Sequence, residues 1–428
     1  MPCEADTTVQ TLPNGVRVVV IRQPHLSTAV CSVFVRTGSR HEPPSLNGIS
    51  HFVEHMAFKG TATRDCHRIN LDAERLGADV NAHTDKDHTA YHMQGLAEHA
   101  GRFVHMLADI VLQGIYPEPE LAREREVILQ EFLEDADDPV STANKLFDQA
   151  SYGTHGIAQP VIGTRSCIER LTRADLISYV QSRYSGANIV VGLAGGVQLD
   201  AVMADVQAAF GQVPRGEPHT DEPAAYVGGS RMRRLPGNSQ SHVVLGFPIP
   251  SAKQDYHAGV VAAALFGEGM SSPLMREIRE DRGLVYYASC SADVTDVHGQ
   301  FVIEASTTPD HLEEFFTEVT RLLVGHAKHV DPVDLERARN QIAVRTLRAQ
   351  ENLSRRLEDA ALDLYTHGRV RSRAEVLAGI EAVTADDVRR VFGHMLEQTP
   401  AVAVAGKIGK ATSHRFFDIL QAQSGVAS

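Results

Sequence analysis

Cysteine is scarce in this 428-residue chain and shows no CxxC spacing: Cys3, Cys31, Cys66, Cys167 and Cys290 are widely scattered. That pattern excludes a disulfide-stapled scaffold and a cysteine zinc module, and it fits a reducing compartment. Long hydrophobic runs are missing too, since no 18 consecutive residues are apolar, so no membrane-spanning helix is expected. The opening MPCEADTTVQ lacks a basic segment followed by an apolar one, so export is not expected and a cytoplasmic location is. Positive charge is in deficit. With 41 Lys and Arg against 54 Asp and Glu the net charge is -13, which argues against nucleic acid as a partner because phosphate binding needs a basic face. Tryptophan is absent altogether, and that absence excludes nothing.

What remains is an ordinary globular composition, 43% hydrophobic and 22% charged, in a chain too long for one core. Short strands alternate with amphipathic helices, and the order of elements occurs twice. TAVCSVFVRTG is matched by SHVVLGFPIPS, GISHFVEHMAFKG by YHAGVVAAALFGEG, and HTAYHMQGL by GQFVIEAST. Two longer helices close each copy, and LFDQASYGTHG has an echo in LDLYTHGR. The expected architecture is α+β: two homologous α/β sandwich halves, each a mostly antiparallel sheet with helices packed on one face. The join falls in the Pro-, Gly- and charge-rich stretch 214–238, giving an N-terminal domain 1–218, a linker 219–238 and a C-terminal domain 239–428.

The duplication acts as an internal control on the run HFVEHMAFKG, residues 51–60. Positions i and i+4 of a helix share a face, so His51 and His55 can present two imidazoles to one cation. Glu54 lies between them in angle and can reach a water on that cation. Zinc suits such a set, because it takes histidine and carboxylate ligands and keeps a position open for water. HxxEH is the inverted form of the commoner HExxH. A third ligand is sought in ELAREREVILQEFLED, where Glu124 and Glu131 stand two helical turns apart on one face. In the second copy Gly259, Ala262 and Ala263 replace His51, Glu54 and His55, and Ala338 and Arg345 replace the glutamates. The fold does not need these polar residues, so the first copy carries them for chemistry.

HxxEH with these glutamates, FKGT after it, and NAHTDKDHTAY further on together resemble the pitrilysin/insulinase (M16) family of zinc peptidases, in particular its mitochondrial processing peptidase-like branch (M16B). The resemblance covers nearly the whole chain. It implies a LuxS/MPP-like fold for each half and one zinc ion per chain. The family's distal glutamate ligand lies about 76 residues past the second histidine, which implies His51, His55 and Glu131 as ligands. Glu54 is then the general base and Glu124 a supporting carboxylate. Arg279 and Tyr286 match a substrate-binding pair in the C-terminal copy, suited to hydrogen-bonding a developing oxyanion. Asn81 and Ala82 fall where the family offers an edge strand to a peptide. His83, Asp85, Asp87 and His88 look like a second cluster, but Asp87 has a family match without a metal role, and no second metal is expected. His67, His92, His99 and His105 read as surface or interior histidines. The implied activity is a metalloendopeptidase acting on short or unfolded peptides, working as a homodimer or as a heterodimer with a related subunit. Rival readings are a non-catalytic core or scaffold subunit and metal-dependent hydrolysis of a small molecule.

Overall fold

The computed structural model describes residues 6–220, 223–408 and 419, and the chain forms two compact units. Cys3 and the outermost residues of both expected domains lie outside the described residues. One unit comprises residues up to 132, 159–221 and 349–370; the other comprises 133–158, 222–348 and 371 onward.

The first unit holds a six-stranded sheet built from β1 (Asp6–Thr11), β2 (Arg17–Arg22), β3 (Thr28–Val35), β4 (Asp79–Thr84), β5 (Thr89–Leu96) and β6 (Ile189–Gly195). Their order is β1-β2-β6-β3-β5-β4. The second unit has β7 (Gly229–Arg234), β8 (Ser241–Pro248), β9 (Val285–Val294), β10 (Gly299–Thr307) and β11 (Ala401–Gly406), in the order β7-β11-β8-β10-β9. Without β1 the two orders coincide. Each sheet has one parallel pair, β2 with β6 and β7 with β11, and is otherwise antiparallel. The α+β class and the duplication expected from the sequence are both observed.

On one face of the first sheet, Val18, Val20, Cys31, Val33 and Leu193 meet Phe52, Val53 and Met56 of helix Ile49–Ala57 and Phe103 and Leu107 of helix Ala100–Leu112. The opposite face is covered as well. There Val19, Ile21, Val30, Phe34 and Val190 pack against Leu357, Ala360, Ala361 and Leu364 of helix Leu353–His367. The second sheet is treated alike: Val244, Val302, Ala401 and Ala403 pack against Ala143, Phe147 and Ala150 of helix Pro139–Tyr152. Gly246 permits this approach, since a Cβ there would stand 2.6 Å from the Phe147 ring and 2.7 Å from the Phe301 carbonyl. These two covering helices carry the LFDQASYGTHG and LDLYTHGR segments. Each belongs by sequence to one half and by packing to the other half's sheet.

Candidate metal centre

Helix Ile49–Ala57 is held at its start by a buried carboxylate. Glu42 accepts hydrogen bonds from the backbone N–H of Gly48 (2.7 Å) and of Ser50 (2.8 Å) and from Asn47 Nδ2 (2.8 Å). A negative group at a helix N-terminus satisfies free N–H donors and complements the helix dipole. Burial pushes the Glu42 carboxyl up, and these hydrogen bonds pull it back. Gly48, at φ +98°, lies against Gly163, where a Cβ would meet the Gly48 Cα at 2.6 Å and the Asn47 carbonyl at 2.5 Å. Only glycine fits there. Ser50 Oγ shares a hydrogen bond with the Tyr179 hydroxyl (2.8 Å), which in turn bonds Thr37 Oγ1. The helix is therefore fixed before it presents anything.

What it presents is the HxxEH set. One donor atom from each of His51, His55 and Glu131 lies within 4.8 Å of the others. Glu131 Oε2 is 3.8 Å from His51 Nε2 and 3.5 Å from His55 Nε2. Metal bonds near 2.0–2.1 Å put tetrahedral ligands about 3.3 Å apart, so the spacing suits one small cation. Burial, with the neighbouring His55 charge, lowers His51 to about 4, which keeps its ring in the neutral, ligating form. Two imidazoles and one carboxylate form a zinc-type donor set, and these residues fit the ion.

Glu131 sits on helix Glu118–Asp137, with Glu124 two turns earlier. Glu124 is buried; its Oε2 is 3.2 Å from His55 Nδ1, and its Oε1 pairs with Lys59 Nζ at 2.7 Å. The carboxylate fixes the ring so that Nε2 faces the cluster. Arg125 donates to the carbonyls of Ile168 and Leu171 and lies over the Phe52 ring, tying this helix to the one bearing the histidines. Glu54 shares the setting. Burial pushes its carboxyl up, while a hydrogen bond with Thr84 of β4 and the charges of His55 and His83 oppose the shift.

Asn81 and Ala82 lie on β4, at the edge of its sheet, paired on one side with His92 and Tyr91 of β5. Among the described residues no strand pairs with the other side of β4, where the Ala82 N–H is met by Asn81 Oδ1 at 2.8 Å. Arg279 and Tyr286 belong to the other unit. Arg279 lies on a π-helical segment, Leu274–Asp281, with Nε 3.7 Å from Glu280. On edge strand β9 the register passes from Val285–Thr307 to Tyr287–Ser306, leaving Tyr286 as the unpaired residue of a bulge and 78% exposed. A bulge re-aims a side chain, which accounts for a large phenol facing solvent.

In the second copy the place of the cluster is filled differently. Gly259, Ala262, Ala263 and Ala338 are buried, and Arg345 pairs with Glu268 at 2.8 Å. Sequence reading assigned no role to Lys59, Glu42 or Tyr179. Lys59 had only a weak signal, four residues after His55 but in the turn beyond the helix end at Ala57.

Fold and site together define a class: a duplicated α+β protein whose first copy, unlike the second, gathers two histidines and a glutamate within reach of one cation. The family model described as Insulinase (Peptidase family M16) matches residues 17–165, and the one described as Peptidase M16 inactive domain matches residues 170–342. An uncharacterized zinc protease of Rickettsia bellii is 30% identical over 93% of this chain and 97% of its own. An uncharacterized zinc protease of Mycobacterium bovis is 32% identical over 94% of each chain. This chain belongs to peptidase family M16. A protease from Helicobacter pylori shares the fold with a TM-score of 0.86 at 20% identity, covering 94% of this chain and 99% of that one. A chain of complex III2 from Candida albicans shares it with a TM-score of 0.84 at 16% identity, covering 97% and 100%. Among the described residues no helix is long and apolar enough to cross a membrane.

Proposed function

We propose that the protein is a zinc-dependent endopeptidase that hydrolyses peptide bonds in short or unfolded peptides. The carrying observation is the convergence of His51, His55 and Glu131 within 4.8 Å, with Glu54 on the same helix. The relatives' description as zinc proteases supports the ion. His51 Nε2, His55 Nε2 and a Glu131 oxygen would hold one zinc. When bound, zinc supplies Lewis-acid chemistry, bringing a water's pKa near neutrality and polarising a carbonyl. The Glu54 carboxylate takes the proton of the attacking water and later delivers it to the leaving amide nitrogen. Glu124 holds the His55 ring in register. An extended peptide adds to the edge of β4 by main-chain hydrogen bonds at Asn81 and Ala82. Arg279 and Tyr286 are the proposed clamp on the substrate's carbonyl oxygens. The working assembly in this reading is a dimer, of this chain or with a related subunit.

A second reading, a non-catalytic core subunit, draws support from the C-terminal family description and from the fold likeness to a complex III2 chain. Cleavage of an unfolded peptide separates the two. In the peptidase reading a chelator abolishes cleavage and added zinc restores it. Glu54→Gln keeps its zinc but cuts kcat by about 10²- to 10⁴-fold. Undiminished cleavage by that zinc-bearing variant removes Glu54 from its role. Absence of cleavage by the zinc-loaded protein, alone and mixed with a homologous chain, favours the core-subunit reading.

A further inference from the structure

The first unit holds another cluster of the same composition, which the proposed peptidase chemistry does not use. His83 lies near the end of β4, His88 follows in the turn to β5, and Glu358 comes from helix Leu353–His367. His83 Nε2 and His88 Nε2 each stand 3.7 Å from Glu358 Oε1, and one donor atom from each of the three lies within 4.8 Å of the others. The corresponding separations in the first centre are 3.8 and 3.5 Å. The spacing is equivalent.

Two observations mark this as more than an ion pair. His88 is only 1% exposed, yet neither of its ring nitrogens has a hydrogen-bond partner. Buried polar atoms are normally paired, and this imidazole has only carboxylate oxygens near its two nitrogens, Asp85 Oδ2 and Glu358 Oε1. Behind it, Asp85 Oδ2 stands 3.1 Å from His88 Nδ1, close but off the angle of a hydrogen bond, much as Glu124 stands 3.2 Å from His55 Nδ1. A carboxylate backing a ligating histidine is the usual outer partner of a metal site. The His83 side chain is 43% exposed, which gives an ion a way in from solvent.

We propose that His83, His88 and Glu358 form a second cation site, taking a divalent transition ion that accepts imidazole nitrogen, zinc above all, with Asp85 orienting His88. Two nitrogens and one carboxylate suit zinc, whereas calcium and magnesium want an all-oxygen shell. Occupancy pins the end of edge strand β4 to a helix delivered by a distant part of the chain.

The site shares no residue with the first centre, although the His83 charge reaches Glu54, and its test keeps the two apart. Zinc alone is titrated calorimetrically into the metal-stripped full chain and into a His51→Ala/His55→Ala variant. The expected counts are two equivalents for the unaltered chain and one for the variant. Glu358→Gln and His83→Ala, neither of which alters the buried His88, each lower the count by one in both backgrounds. Asp85→Asn keeps an oxygen for the backbone N–H groups of Asp87 and His88 but loses the charge behind the ring, and weakens this equivalent about 10- to 100-fold. A count that Glu358→Gln leaves unchanged, in either background, overturns the proposal. So does a His51→Ala/His55→Ala chain that binds no zinc while its circular dichroism matches the unaltered protein. Loss of zinc from the first centre alone would leave the second equivalent in place, and would count against the peptidase reading only.

Discussion

Glu124 serves two partners with its two oxygens, the His55 ring at 3.2 Å and the Lys59 ammonium at 2.7 Å. Because the carboxylate is buried, neither contact is diluted by water as a surface pair would be. Glu124→Gln keeps the shape but removes the charge and gives one oxygen's place to a donor. Zinc affinity at the first centre should fall about 10- to 100-fold, read by competition with a chromophoric chelator. An unchanged affinity would reduce Glu124 to a partner of Lys59. The copy without a cluster makes the same point in reverse: with Ala338 at this position nothing on that helix needs a buried charge, and Arg345 turns to Glu268.

At the scale of elements, the helix bearing His51 and His55 depends on contacts made before it begins. Glu42→Ala leaves the Gly48 and Ser50 N–H groups and the Asn47 amide without their acceptor. Its cost should be about 3 kcal/mol, seen as a lower denaturation midpoint with an unchanged m-value. Because His51 and His55, the proposed ligands, ride on this helix, zinc affinity should drop as well; stability lost with zinc affinity intact would separate the anchor from the site. The pairing of His51 with His55 on one face was legible in the sequence, since i, i+4 spacing and the contrast with Gly259 and Ala263 need no coordinates, whereas Glu131 was reached through the family resemblance. Glu42 and Glu358 were not, because each meets its partners through a loop or across distant segments, where no periodicity marks the contact. The exposed setting of Tyr286 was equally hidden, since a bulge comes from pairing rather than composition.

For the whole molecule, the clearest signal in the sequence was one read only in part. Strands β3 (TAVCSVFV), β6 (IVVGLAG) and β11 (AVAVAG) are nearly unbroken apolar runs. A sheet covered on one face alternates, while one buried on both faces does not. The runs thus call for a second helical layer, and they overturn the expectation of helices on one face only: the echoing segments LFDQASYGTHG and LDLYTHGR lie on the helices that form that layer. What sequence could not show is that each covering helix packs on the sheet of the other copy. That exchange has a consequence for cutting the chain in the linker. A fragment ending at residue 220 keeps helix Pro139–Tyr152 without its sheet, and lacks helix Leu353–His367 over Val19, Phe34 and Val190. Burial of Leu357 and Leu364 alone contributes about 3–6 kcal/mol, comparable to the net stability of a domain. Each fragment expressed by itself should expose an apolar sheet face, bind a hydrophobic dye and unfold without cooperativity. Co-expressed, the two should co-purify and recover one sharp transition. A fragment 1–220 that is monomeric, dye-silent and cooperatively folded would show that the covering helix is dispensable.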